Sequence, residues 1–274
     1  MGTCPTEEAA HYSHYADISS DARKIRSILH ALDDMGREVD YYALDLSRSE
    51  LQGCISSLSD LSLKHVGCYG LLGTYDDAQT WLQTPDVVER PKCILSLGSS
   101  IGNMPSSEAG SFLAGFSETL RRQKASVSPQ YQRSESSMII GIDPCKDETQ
   151  VRKAYNDPSK LNAKFVLNSL ARANDILGYT AFEPKDWEVH GEWVDDGYHQ
   201  WLVPLSEVAF EDTVIKAGER VHIVQSQKYS AEERSLLWKK AGLKEVHGWP
   251  SQDASFSTFL HLFPLPWCNS LPRP

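Results

Sequence analysis

The chain has 274 residues, 41% of them hydrophobic and 23% charged, and carries a formal charge of −10. That length can bury a core of one large or two small domains without disulfide staples. The negative balance, with no basic run longer than Arg121-Arg122, excludes nucleic acid and anionic membrane as expected partners, because both demand clustered cations.

Residues 19–36 carry Ile25, Ile28, Leu29 and Leu32 at spacings of three and four, the period of an amphipathic helix. Residues 39–46, VDYYALDL, read as a strand ending in Asp45. A short helix over 50–58 and a second strand over 66–72 follow, and then Gly73-Thr74-Tyr75-Asp76-Asp77. A third strand spans 93–97, and its helix spans 105–120, with Pro105 and Ser106-Ser107-Glu108 as start signals. Residues 124–137, KASVSPQYQRSESS, have no period and predict a surface loop. A fourth strand covers 138–143. This alternation predicts an α/β fold with a parallel sheet and helical crossovers.

After Lys146 the pattern changes. Residues 158–177 predict one long helix. Residues 187–210 alternate like a hairpin turning at Asp195-Asp196-Gly197, and 219–227 form another strand. A helix over 231–241 is closed by Gly242. Strands at 243–247 and 256–262 then read as the closing hairpin of the parallel sheet. The division expected is a nucleotide-type domain of residues 1–148 and 229–274 with a smaller α+β insertion of residues 149–228.

No apolar run reaches the roughly 18 residues of a membrane-crossing helix. The start, MGTCPTEEAAHYSHY, lacks the basic and apolar regions of a secretory signal. The six scattered cysteines form no CxxC pair and predict free thiols in a reducing, cytoplasmic setting. His11 and His14 have no further ligands nearby, so this HxxH reads as a solvated segment and no metal is expected.

In open α/β sheets ligands sit at the carboxyl ends of the strands. Those ends here carry Asp45, Gly73-Thr74-Tyr75, Gly98 to Asn103, and Asp143. A carboxylate such as Asp45 accepts from two ribose hydroxyls; the alternative is that it caps the helix starting near Ser47. Tyr75 can cover an adenine face and Thr74 can bond its edge. These features describe an adenosine site with no diphosphate site, which counts against a nicotinamide dehydrogenase. In the turn LGSSIGN the glycines let the backbone approach a ligand closely, and Asn103 offers a donor and acceptors toward the reacting group. The alternative there is an ordinary tight turn.

LGSSIGN (97–103), AYND (154–157), the helix with Asn168 and Asn174, and SQKYS (226–230) together resemble the histidine-specific methyltransferases of ergothioneine biosynthesis. YYALDLSRSEL and GLLGTYDDA look closer still to a fungal branch, the 4-dimethylallyltryptophan N-methyltransferases of ergot alkaloid pathways. The resemblance covers about residues 20 to 262. It implies a class I S-adenosylmethionine (SAM) fold, Rossmann-like, with an inserted amino-acid-binding domain and a small amino-acid-derived substrate. It also implies that Asp45 binds the SAM ribose, that Thr74 and Tyr75 flank the adenine, and that Gly98 and Ser99 lie beside the cofactor. Asn103 and Tyr155 would grip the substrate's α-amino and carboxylate groups at the reacting centre. Ser226 would line the side-chain pocket, with Val203 and Val224 beside it. The histidine enzymes carry a Glu at the position of Val224, so loss of that partner would disfavour an imidazole and favour an indole. The alternative is that both valines are plain core residues. The reaction expected is N-methylation of the α-amino group of 4-dimethylallyl-L-tryptophan, with positioning in place of a strong protein base. Other aromatic amino acids, tryptophan or histidine, are the alternative substrates.

The family's glycine turn after the first strand has no counterpart. Ile18 and Ser20 stand at its glycine positions, before Arg23-Lys24. The family's amino-terminal helical segment has no counterpart either. The sheet is therefore expected without its first strand, and a non-catalytic, shortened chain is the remaining alternative.

Overall fold

The computed structural model describes residues 13–17, 22–88, 90–124, 136–251 and 257–262. The first half alternates strand and helix: β1 Ser13–Asp17, α1 Ala22–Asp34, β2 Val39–Asp45, α2 Arg48–Ser59, β3 Val66–Leu72, α3 Tyr75–Trp81, α4 Pro85–Val88, β4 Lys92–Ser96, α5 Ser106–Lys124 and β5 Ser137–Ile142. The second half holds α6 Glu148–Tyr155, α7 Leu161–Leu177, β6 Trp187–Val194, β7 Gly197–Pro204, β8 Val208–Phe210, β9 Thr213–Ile215, β10 Val221–Gln227, α8 Ala231–Ala241, β11 Lys244–Pro250 and β12 Ser257–Leu262.

Seven strands form one sheet in the order β3-β2-β1-β4-β5-β12-β11. The first five are mutually parallel, while β12 runs antiparallel to β5 and β11 antiparallel to β12. Helices cover both faces. Ile25, Leu29, Leu51 and Leu58 of α1 and α2 pack on one side, with Tyr41 and Leu95. Leu113, Phe116 and Leu120 of α5 pack on the other, with Leu237 and Trp238 of α8. Every residue of β4 is buried, as a strand covered on both faces requires.

The expected absence of the first strand is overturned. Residues 13–17 occupy the centre of the sheet, with Tyr15 opposite Tyr41 on one side and Cys93 on the other. SHYAD carries no run of β-branched residues to announce a strand. Two neighbouring ladders pair its backbone, and that pairing does not depend on side-chain pattern. His14 thus lies in a strand of the sheet, its backbone opposite Asp40 and Lys92. His11, the segment holding Ile18 and Ser20, and, of the loop expected over 124–137, residues 125–135 lie outside the described residues. Among the described residues Cys54, Cys68, Cys93 and Cys145 are free thiols, and no helix is long and apolar enough to cross a membrane.

Strand order reverses between β1 and β4, which makes their carboxyl ends the switch point where a crevice opens. The closing hairpin is β11–β12, as expected. The segment between β5 and α8 builds a separate three-stranded sheet, β10-β7-β6, and the two-stranded β8-β9. Asp195 and Asp196, at φ 47° and 64°, make the two-residue turn that joins β6 to β7, and Gly197 already pairs with Val194.

The long helix expected over 158–177 is α7, and a further short helix, α6, precedes it. Asp147 accepts from the Thr149 and Gln150 amides and starts α6. Asp157 accepts from Leu161 N–H and Asn162 N–H at 2.9 and 3.0 Å and starts α7. These backbone hydrogen bonds hold the Asp157 carboxyl below its usual range.

Candidate functional site

Asp45 ends β2, half-buried, and its Oδ1 accepts from the Ser47 amide at 2.7 Å. Ser47 is the residue that caps α2. The Asp45 backbone carbonyl accepts from Gly73 N–H, which fastens the ends of β2 and β3 together. Oδ2 has no hydrogen-bond partner among the described residues. Local capping and an open acceptor therefore coexist in one carboxylate.

Thr74 caps α3 through a reciprocal box. Its Oγ1 accepts from Asp77 N–H at 3.1 Å, while its own amide and hydroxyl both donate to Asp77 Oδ2 at 2.8 Å. Those bonds lower the Asp77 pKa. The Thr74 hydroxyl proton is thus committed locally, a role the sequence reading did not assign it. Tyr75, 40% exposed, meets Phe112 edge-on at 4.9 Å, and Phe112 meets Phe116 at 5.2 Å. The Phe112 contact anchors the ring against α5.

The turn after β4 is left-handed at Gly98 and Ser99, φ 74° and 59°. It continues as a 3-10 turn over Ser100–Asn103. Ser99 is buried, and its Oγ accepts from Asp143 N–H at 3.0 Å, tying the ends of β4 and β5. Asn103 is exposed at the end of the turn, with no side-chain hydrogen bond among the described residues. Tyr229 lies behind the turn and donates its O–H to the Ile101 carbonyl; burial pushes its phenol up to about 12 and keeps it neutral.

Lys228 joins this region to the smaller sheet. Its side chain is 2% exposed, and Nζ donates to Asp143 Oδ2 at 2.6 Å, Ser226 Oγ at 3.0 Å and Tyr155 Oη at 3.3 Å. Its ammonium lies 5.2 Å from the Tyr155 ring centre, and that ring stacks on Tyr198 at 4.6 Å. Lys146 donates to the Lys228 carbonyl and pairs with Glu233 at 2.7 Å, bracing the same junction. Tyr155 and Ser226, 71 positions apart in sequence, thus share one cation. A cleft of about 400 Å³ opens beside Tyr155, walled by Lys160, Leu167, Trp187 and Val189.

Val203 and Val224 do not face one pocket. Val224 pairs with Gln200 on β7, and Val203 pairs with Glu188 on β6. From Tyr198 onward along β7 the even positions are buried and the odd ones half-buried, so Val203 points to the face opposite Val224. Val224 packs with Leu202 and Trp187, on the same face as Ser226. The expectation of Val203 as a pocket wall is corrected by this strand parity.

Sequence reasoning also passed over Lys228 and Asp143 as partners. SQKYS put the lysine next to Ser226, but a lysine beside a strand end reads as solvated, and only the fold brings Asp143 to it.

The model of the family described as histidine-specific methyltransferase, SAM-dependent, matches residues 17–262. The chain is 44% identical over 235 residues to ergothioneine biosynthesis protein 1 of Neurospora crassa, covering 84% of this chain and 25% of that one. It is 34% identical over 246 residues to N-methyltransferase imqF of Aspergillus flavus, covering 87% of this chain and 64% of that protein. It is 32% identical over 253 residues to the 4-dimethylallyltryptophan N-methyltransferase easF of Aspergillus fumigatus, covering 88% and 72%. The chain thus spans a quarter to under three quarters of the length of these relatives.

Proposed function

The chain belongs to the histidine-specific, SAM-dependent methyltransferase family, with a class I methyltransferase fold, and from that premise we propose that it N-methylates the α-amino group of an aromatic amino acid. The observation that carries this reading is the junction of the two sheets. Tyr155 and Ser226 from the smaller unit converge through Lys228 on Asp143, at the strand ends where an open α/β sheet binds its ligand. Residues 1–148 and 229–274 are the cofactor half in this reading, and 149–228 are the substrate insertion.

The described residues fit the adenosine part of SAM. Asp45 keeps an open carboxylate oxygen for a ribose hydroxyl, Tyr75 offers a ring face for the adenine, and the Thr74 backbone lines the same edge. Gly98 and Ser99 bring backbone close to the crevice. Bound SAM supplies a methyl group on a cationic sulfonium, which accepts an amine lone pair. Asn103 and Tyr155 hold the amino acid so that its amine faces that methyl, and the low-dielectric junction favours the neutral amine beside a cation. No general base is assigned.

The ring specificity proposed is for an apolar indole, with 4-dimethylallyl-L-tryptophan as the leading substrate. Val224 supports it, because it offers methyl groups where an imidazole would need an acceptor. A second reading, histidine, is favoured by the 44% identity to the ergothioneine protein. The experiment is calorimetric titration of the chain with SAM, followed by mass detection of methylated 4-dimethylallyltryptophan, tryptophan and histidine. Micromolar SAM binding with product from a tryptophan derivative supports the leading reading. Product from histidine alone selects the second. A folded chain that binds no SAM overturns both.

A further inference from the structure

The seven-stranded sheet ends in two unlike edges, β3 and β11. β11 carries the features that keep an edge from pairing with another chain: Lys244 and Glu245 at its start, a bulge between Glu245 and His247, and Pro250 at its end. β3 carries none of them. Its sequence, VGCYGLL, has no charge and no proline, and its register with β2 is unbroken from Val66 to Leu72. Tyr69 and Leu72 are each 47% exposed. Val39 N–H donates to the His65 carbonyl, and Gly73 N–H donates to the Asp45 carbonyl. Only alternate residues of a parallel strand bond to a given neighbour, so His65, Gly67, Tyr69, Leu71 and Gly73 face β2. The N–H and C=O groups of Val66, Cys68, Gly70 and Leu72 therefore point to the open edge, where no strand lies among the described residues.

We propose that β3 pairs antiparallel with β3 of a second copy of this chain, about a two-fold axis at Tyr69. That register sets Val66 opposite Leu72 and Cys68 opposite Gly70, so every outward backbone group meets an outward group and all of β3 is paired. The strand is self-complementary in charge as well. With no ionised side chain between Val66 and Leu72, no like charges are forced together. Its flanks carry opposite signs: exposed Lys64 precedes the strand and exposed Asp76 follows it. An antiparallel pair brings the Lys64 end of one copy to the Asp76 end of the other, which favours a copy of this chain over an unrelated strand. Tyr69 already stacks on Tyr42 at 5.1 Å, and Tyr42 meets Trp81 at 4.6 Å. At the axis Tyr69 opposes its own copy in a pair not hydrogen-bonded to each other, with Cα atoms about 4.5 Å apart, so this aromatic row continues across the interface. A contact of one strand edge is small, and the dimer is accordingly weak and reversible.

The proposal is independent of methyl transfer, and sedimentation of the full chain tests it. The wild-type chain is expected to pass from monomer to dimer as its concentration rises through the micromolar range. Tyr69→Lys, which sets like charges opposite each other at the axis, is expected to raise the dimer Kd roughly 10-fold or more. Leu72→Pro removes an outward N–H while sparing the ladder to β2, and is expected to act in the same direction. Lys64→Glu is expected to weaken the dimer, and Lys64→Glu combined with Asp76→Lys to restore it, which a parallel pairing would not do. Tyr69→Cys is expected to give a disulfide-linked dimer under mild oxidation, because a Cα spacing of about 4.5 Å lies within disulfide reach, while the wild-type chain with its native thiols does not. Thermal melting identifies any variant that does not fold; the Lys64 and Asp76 variants, both at exposed positions, then decide. A chain that stays monomeric at every concentration overturns the proposal. So does a dimer that the folded variants leave unchanged, or one in which Tyr69→Cys does not cross-link, since its contact then lies elsewhere.

Discussion

Gly102 and Gln227 meet where the turn after β4 touches the last strand of the smaller sheet: a Cβ on Gly102 would sit 2.7 Å from the Gln227 carbonyl oxygen. No flexible side chain is there to yield, because the obstructing atom is backbone. The glycine therefore sets how closely the turn after β4 approaches β10. Gly102→Ala is expected to destabilise the chain by about 1–3 kcal/mol through overpacking and to weaken amino-acid binding more than SAM binding. Urea unfolding and paired titrations check it. Equal stability with unchanged affinities would show that the two halves do not need this contact.

Asp45 and Thr74 sit on neighbouring strand ends but respond to different losses. Asp45→Asn keeps the oxygen that accepts from Ser47 N–H and removes charge from the one left open. It is expected to weaken SAM about 10-fold or more, the worth of a charge-assisted hydrogen bond, with a melting temperature near wild type.

Thr74→Ala removes the side-chain half of the capping box. The expected cost is about 1 kcal/mol of stability, restored by Thr74→Ser, with SAM affinity close to wild type because the hydroxyl proton already serves Asp77. Titration and thermal melts of the variants separate the two roles. A large loss of SAM affinity in Thr74→Ala would return that hydroxyl to the adenine edge.

The parts of the fold that sequence pattern could find are those whose side chains obey a period. β2 and the β6–β7 pair alternate, α1 repeats every three to four residues, and α8 carries a Ser-x-x-Glu start and a glycine stop at φ 64°. The strand at 13–17 has none of this, since its place is set by the backbones of β2 and β4. The start of α6 did carry a signal, an aspartate three residues before Gln150, that was passed over. Val203 was misassigned because adjacent strand residues look alike in composition and differ only in parity. Lys228 was hidden for a different reason. Burial of a lysine is a tertiary event, and its counter-ion Asp143 lies 85 positions away.

Val224 is the position where ring specificity is open to a direct change. It is half-buried on the same face as Ser226. Val224→Glu supplies an acceptor for an imidazole N–H and removes apolar surface from an indole. The variant is expected to gain histidine affinity and to lose affinity for tryptophan derivatives, each by roughly 10-fold or more. Val203→Glu, on the opposite face, is the control and is expected to change neither ratio. A matching effect from Val203 would contradict the strand parity seen here.

His261 gives the fold a pH dependence of defined sign. It is fully buried in β12, with its ring 4.1 Å from Trp238. Burial lowers its pKa from 6.5 to about 4; the Arg234 charge adds to that shift, and the Phe259 backbone opposes it. Between those two values the unfolded chain binds a proton that the folded chain refuses, so stability rises with pH across that window. The contribution is fully present above pH 6.5 and is lost as pH falls toward 4, by about 2 kcal/mol at pH 5. Urea midpoints at pH 7.5 and pH 5 are expected to differ accordingly. In His261→Phe, whose ring can keep the edge contact with Trp238, that difference should shrink by about the same amount. An undiminished pH dependence in that variant would move the acid sensitivity to other groups.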